Sequence, residues 1–279
     1  MENSPDMIFS STIESHRSLS RAATVAAHSV SARFGAGDRQ AVLLSPILPQ
    51  WDGGAYFQPL IRQLAAAGFE VTVFDTLSLL VDSTMTFGDL ATVWAERLAA
   101  VPRIDLIGGA ALGGSIVQSI LLCDGIAQIP DAILVSAPTV TDPALNEKLL
   151  DMARLAREVG AAAALRKLAL LVTAETKAAE IPDKDAFVAL ETPQVRSRLT
   201  NGFTMLAGID LRPQVGAFGG RLLHLYGRDS RLVRSSNIAV AHHDGHAMVG
   251  FEDCGMRPLG DFPDRAAQEI AVHFDLLVP

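Results

Sequence analysis

Short unbroken apolar runs alternate along this chain with longer stretches of helical spacing. Gln40–Ser45 (QAVLLS), Phe69–Asp75 (FEVTVFD), Arg103–Ile107 (RIDLI), Ala132–Ser136 (AILVS) and Arg221–Leu225 (RLLHL) have the length and continuity of buried strands. Ile238–Ala241 (IAVA) reads as the last strand, and Thr24–Phe34 as a weakly alternating β-rich start closed by the Gly35–Asp38 turn. Between the runs, Tyr56–Gly68 has helical apolar spacing and stops at a glycine suited to a C-cap. Phe87–Ala100 reads as an amphipathic helix with Asp89 near its start, Ser115–Cys123 as another, and Asp264–Leu277 as the last. Strands alternating with helices predict an α/β fold, a mostly parallel sheet with helices on both faces.

One stretch breaks the alternation. Asp142–Leu206 has no clear strand, is rich in Ala, Leu, Lys and Glu, and is too long for a simple crossover. It predicts a helical cap over residues 139–206, inserted between two parts of one core, 1–138 and 207–279. The first 20 residues are polar and irregular and are expected to be loosely held.

Composition narrows the function classes. The chain has 279 residues and a formal net charge of −8, from 31 acidic and 23 basic residues, which argues against phosphate-backbone binding. No nucleic-acid partner is expected. Mean hydropathy is +0.28, in keeping with strands buried on both faces. The oily runs fall well short of the roughly 20 residues that span a bilayer, so no membrane partner is expected. The N-terminal residues lack a basic segment followed by an apolar one. Cys123 and Cys254 are isolated, which fits a reducing compartment and a cytoplasmic location.

The strongest local signal is Leu106–Gly114, LIGGAALGG, a strand passing through a glycine-rich turn into a helix. It has no Lys-Ser/Thr after the glycines and no G-x-G-x-x-G spacing, so phosphate-loop and dinucleotide readings are poor. Aligned on Gly109 and Gly113 it has the frame G-x-A-x-G, which resembles the nucleophile elbow G-x-S-x-G of the α/β-hydrolase fold superfamily. The resemblance runs from about Val25 to Val278. AVLLSPILPQWDGG is similar to the oxyanion strand and its loop, and Ala207–Arg231 to the segment entering the acid-bearing strand. Ile238–Asp253 (IAVAHHDGHAMVGFED) is similar to the last strand and the histidine loop, with Gly245-His246 matching that loop's Gly-His.

The resemblance implies a serine at 111, an acid after Gly227 and a histidine at 246. The chain has Ala111, which carries no nucleophilic atom, so an atypical member lacking the serine nucleophile is expected. The acid position falls on Ser230, with Asp229 one residue earlier as the candidate partner of His246. Ser45-Pro46 stands where many members carry His-Gly. Pro46 has no N–H, so oxyanion donors are expected from the amides of Ile47 and Leu112. Ser45, Trp51, Asp52 and Tyr56 are the remaining pocket candidates. His242, His243, Asp244 and His246 sit on a strand-to-loop turn that points their side chains apart, so no metal and no other cofactor is expected.

These residues leave three functions open. The first is an enzyme that uses His246 and Asp229 for acid–base work on a small or peptide-like carbonyl substrate. Isomerisation, epimerisation, lyase-type or non-covalent hydrolytic steps fit that reading. The second is a pseudo-hydrolase that binds a ligand without turnover. The third is an esterase or thioesterase inactivated by a Ser-to-Ala change at 111.

Overall fold

The computed structural model describes residues 29–123, 126 and 129–276. The first 20 residues, and residues 24–28 of the predicted β-rich start, lie outside the described residues; the rest of that start contains β1. Seven strands form one sheet: β1 (Ser31–Phe34), β2 (Arg39–Leu44), β3 (Phe69–Phe74), β4 (Leu106–Ala110), β5 (Asp131–Val135), β6 (Arg221–Gly227) and β7 (His246–Phe251). Their order is β1-β3-β2-β4-β5-β6-β7, parallel throughout except for β1, which runs antiparallel to β3. The chain goes from β2 to β3 on one side and then to β4 on the other. The carboxyl ends of β2 and β4 therefore flank the switch point where open α/β sheets hold ligands.

Alternating residues of each buried strand feed two cores. On β2, Ala41 and Leu43 join the cluster beneath α1 (Gln58–Ala66), while Val42 and Leu44 join the cluster beneath α2 (Phe87–Ala99) and α3 (Leu112–Ile120). Local signals set the helix ends. Gly68, at φ 81°, ends α1 in the left-handed conformation that glycine adopts without strain. Thr86 and Asp89 exchange a capping box at the start of α2, with Asp89 N–H donating to Thr86 Oγ1 at 3.2 Å and Thr86 N–H to Asp89 Oδ2 at 2.9 Å.

Between β5 and β6 lie α4 (Pro143–Glu158), α5 (Ala161–Val172), α6 (Lys184–Val188), α7 (Pro193–Leu206) and α8 (Arg212–Ala217). Asp142 and Thr192 cap α4 and α7 through the amides of Leu145 and Val195, at 2.7 and 3.2 Å. Helix α7 is tied to the sheet by a buried ion pair. Arg198 donates to both carboxylate oxygens of Asp75, which is 3% exposed, at 2.8 and 3.0 Å, and its Nε donates to the Leu48 carbonyl at 3.1 Å. Asp75 directly follows β3, so one guanidinium joins an inserted helix, the end of β3 and the loop after β2. Gly202, one turn further along α7, lets the Ile47 side chain approach: a Cβ there would lie 3.0 Å from it.

Two parts of the predicted pattern change. The last strand is His246–Phe251, and Ile238–Ala241 is loop. The turn between β4 and its helix is one residue long, because α3 begins at Leu112 rather than at Ser115.

Both buried charge and buried imidazole make this fold testable. Arg198→Ala strips the partner from a buried carboxylate and should cost about 3 kcal/mol of stability in urea titrations. A loss below about 1 kcal/mol would show that the pair holds nothing in place. The imidazole is that of His224, fully buried in β6, whose Nε2 accepts the Ala137 N–H at 3.2 Å. Burial holds it down at about 3, against 6.5 when solvated. Between those pH values the unfolded chain carries the extra proton, so stability is full above 6.5 and is lost as the pH falls towards 3. The slope should approach about 1.4 kcal/mol per pH unit below pH 6. His224→Gln, which keeps an acceptor but cannot titrate, should flatten that slope in urea midpoints measured at pH 7, 6 and 5; parallel slopes would refute it.

Candidate functional site

Strand β4 is buried along its whole length and is followed directly by Ala111, which adopts φ 45° and ψ −116°. A residue with a Cβ is strained there, by about 1–3 kcal/mol. Hydrogen bonds on both sides hold the turn: Ala111 N–H donates to Val135 O at 3.1 Å, and Ser115 N–H to Ala111 O at 3.0 Å. The flanking glycines are required by close approach. A Cβ on Gly113 would lie 2.3 Å from the Leu44 carbonyl oxygen, one on Gly109 2.6 Å from the backbone of Gly113, and one on Gly114 2.4 Å from Ala137 Cβ. The frame read from the sequence is therefore a real elbow, with a methyl group at its apex.

Ala111 lines a cavity of about 430 Å³ at the carboxyl edge of the sheet. The inserted helices supply Leu145, Leu149, Leu168 and Phe203 to its wall, and the loop after β2 supplies Ile47 and Leu48. Most of the lining is apolar. Among the described residues, neither the Ile47 nor the Leu112 amide donates a hydrogen bond; Ile47 lines the cavity and Leu112 directly follows Ala111. The Leu112 side chain itself is fully buried in the core.

The loop after β7 closes the cavity from the other side with Met256 and Arg257. In the hydrolase arrangement the loop after the last strand carries the histidine. With the last strand at 246–251, that loop reaches the cavity wall at Met256, 7% exposed, and at Arg257. Tyr56 reaches the same loop, its hydroxyl donating to the Met256 carbonyl at 3.3 Å. Burial pushes the Tyr56 phenol well above its usual range, opposed by the nearby Arg257 charge. Asp52 lies at the cavity edge, with its carboxylate committed to its own turn by the amides of Gly54 and Tyr56 at 2.8 and 2.9 Å.

His246 is not in this cavity. The register pairs it with Leu222, the second residue of β6, and this places it at the amino edge, opposite Ala111. There its Nδ1 accepts the Ala241 N–H at 2.9 Å and its ring lies 4.0 Å from that of His243. Burial, and then the His243 charge, hold it down at about 4. The displacement has a simple cause. The run before the Asp253–Gly255 turn is the strand, so Gly245-His246 precedes it instead of following it.

The remaining candidates separate in the same way. Asp229 is exposed, and its N–H donates to the Cys254 carbonyl at 3.0 Å. Ser230 is buried, with Oγ accepting the Leu232 N–H at 3.3 Å. Neither is on the cavity wall. Ser45 brackets Thr76, accepting its N–H at 3.1 Å and, through the carbonyl, its hydroxyl at 2.6 Å. Trp51 packs half-buried against the core beneath α1. Among the described residues, no group of three or more His, Cys, Asp or Glu is arranged to hold a metal ion, and no helix is long and apolar enough to cross a membrane.

Met256 and Arg257 escape a reading of the sequence because their place depends on which run is the last strand. The available signal is the Asp253–Gly255 turn, which ends HAMVGF and starts a return towards the sheet edge. Nothing in the sequence marks Arg257 itself.

No protein-family model and no curated protein matches the sequence. Solved structures do match. An alpha/beta hydrolase enzyme from a Medee basin deep-sea metagenome library superposes with a TM-score of 0.75 at 13% identity, covering 90% of this chain and 95% of that one. A bromoperoxidase from Bacillus anthracis gives 0.67 at 12% identity, over 88% and 94%. An esterase from Exiguobacterium antarcticum gives 0.67 at 14% identity, over 88% and 95%. At such identities the likeness speaks for architecture alone. By its sheet order, its elbow and these superpositions, the chain has the α/β-hydrolase fold.

Proposed function

We propose that this chain is a ligand-binding member of the α/β-hydrolase fold, holding a small apolar molecule in the cavity over Ala111 without serine-type hydrolysis. The observation that carries this reading is that Ala111 and Met256 share the wall of one apolar cavity. A methyl group cannot attack an acyl carbon, and a thioether cannot take a proton from a nucleophile. The Ile47 and Leu112 amides can still polarise a carbonyl oxygen, which by itself leaves only a small residual rate. The helices over 139–206 act as the cap that keeps the cavity dry.

The acid–base reading loses its support, because His246 and the cavity lie at opposite edges of the sheet. The reading of a hydrolase inactivated at 111 makes a distinct prediction, that serine at that position suffices for turnover. On our reading it does not, since no imidazole among the described residues lines its cavity. Ala111→Ser should remain unlabelled by a fluorophosphonate probe in intact-mass spectra and should hydrolyse p-nitrophenyl butyrate no faster than the parent. The double variant Ala111→Ser/Met256→His should exceed both singles. Rapid labelling and turnover by Ala111→Ser alone would overturn the proposal.

A further inference from the structure

We infer that the cavity ligand is an apolar carboxylic acid whose carboxylate is received by Arg257. This inference rests on the ligand-binding reading and adds the chemical class of the ligand. Arg257 is exposed at the mouth of the cavity, one residue beyond Met256, and belongs to its lining. Among the described residues no carboxylate lies within ion-pair distance of its guanidinium, whereas the neighbouring arginines are paired: Arg228 with Glu252 at 2.8 Å and Arg231 with Glu175 at 3.4 Å.

The acid on the same rim, Asp52, spends its two oxygens on the amides of Gly54 and Tyr56. An unpaired guanidinium beside an apolar sleeve matches a ligand with one anionic head and one apolar body. The planar fork accepts a carboxylate through two parallel hydrogen bonds, and the adjoining low-polarity wall strengthens them. Arg257 also lies near the buried Tyr56 phenol on the same wall, whose upward pKa shift its charge opposes. The apolar body lies along Leu145, Leu149, Leu168 and Phe203.

The test compares decanoate with 1-decanol, which share a tail and differ in the head, by isothermal titration calorimetry at pH 7.5. The parent protein should bind decanoate about tenfold or more tightly than decanol, the scale of a charge-assisted hydrogen-bonded pair. Arg257→Gln should collapse that ratio towards one, and Arg257→Lys should restore part of it. Equal affinities in the parent, or a ratio unchanged in Arg257→Gln, overturn the assignment of the head group and leave the apolar cavity standing. No binding of either compound overturns both the assignment and the cavity reading.

Discussion

The contact on which the rest of the structure depends is the backbone of Gly113 against the carbonyls of Leu44 and Ser45. No side chain fits between them, since even a Cβ would lie 2.3 to 2.4 Å from those oxygens. This approach brings the first turn of α3 under the end of β2. It leaves one residue to turn from strand to helix and forces Ala111 to a positive φ. In a serine hydrolase such strain presents the nucleophile. Here it presents a methyl group, so the chain bears the conformational cost of the elbow without the oxygen that would use it. The space above the turn survives, with the two free amides beside it.

That space is shaped by the inserted helices, and these are positioned by few but specific contacts. The pair of Arg198 with Asp75 is costly to desolvate, and an apolar pair of similar shape would hold as well. Its value lies in direction: a fork that grips both carboxylate oxygens and the Leu48 carbonyl allows one seating of α7 over the loop after β2. Gly202 then admits Ile47, and the cavity takes its wall from both. The acid at the end of β3 is thereby a structural group, although it stands at the edge where catalytic groups collect.

The histidines show how the same fold separates chemistry from structure. His224 and His246 are both held neutral by burial, one within β6 and the other at the amino edge. Neither meets the cavity, so the imidazoles contribute packing and a pH-dependent stability. The cavity wall carries a methyl, a thioether, leucine and phenylalanine side chains, a committed aspartate, a phenol and an arginine. Such a set suits recognition of an apolar body with an anionic head better than bond cleavage.

The strands before the last one, the helix that Gly68 closes, the helical insertion and the elbow were legible in the sequence because each rests on local physics. Periodicity marks burial, Gly68 closes the helix before it, and glycines at 109, 113 and 114 mark a turn too tight for side chains. Ala111 at the apex was legible for the same reason. The partner of Ala111 was not. The sequence pointed to Gly245-His246, and whether that pair returns to Ala111 depends on which run pairs with β6 as the last strand. That pairing is a long-range choice: a last strand at 238–241 would put His246 after its carboxyl end, whereas the strand at 246–251 puts it at the amino end. Tertiary pairing placed the methionine on the cavity wall and the histidine at the opposite edge of the sheet, a choice that local pattern left open.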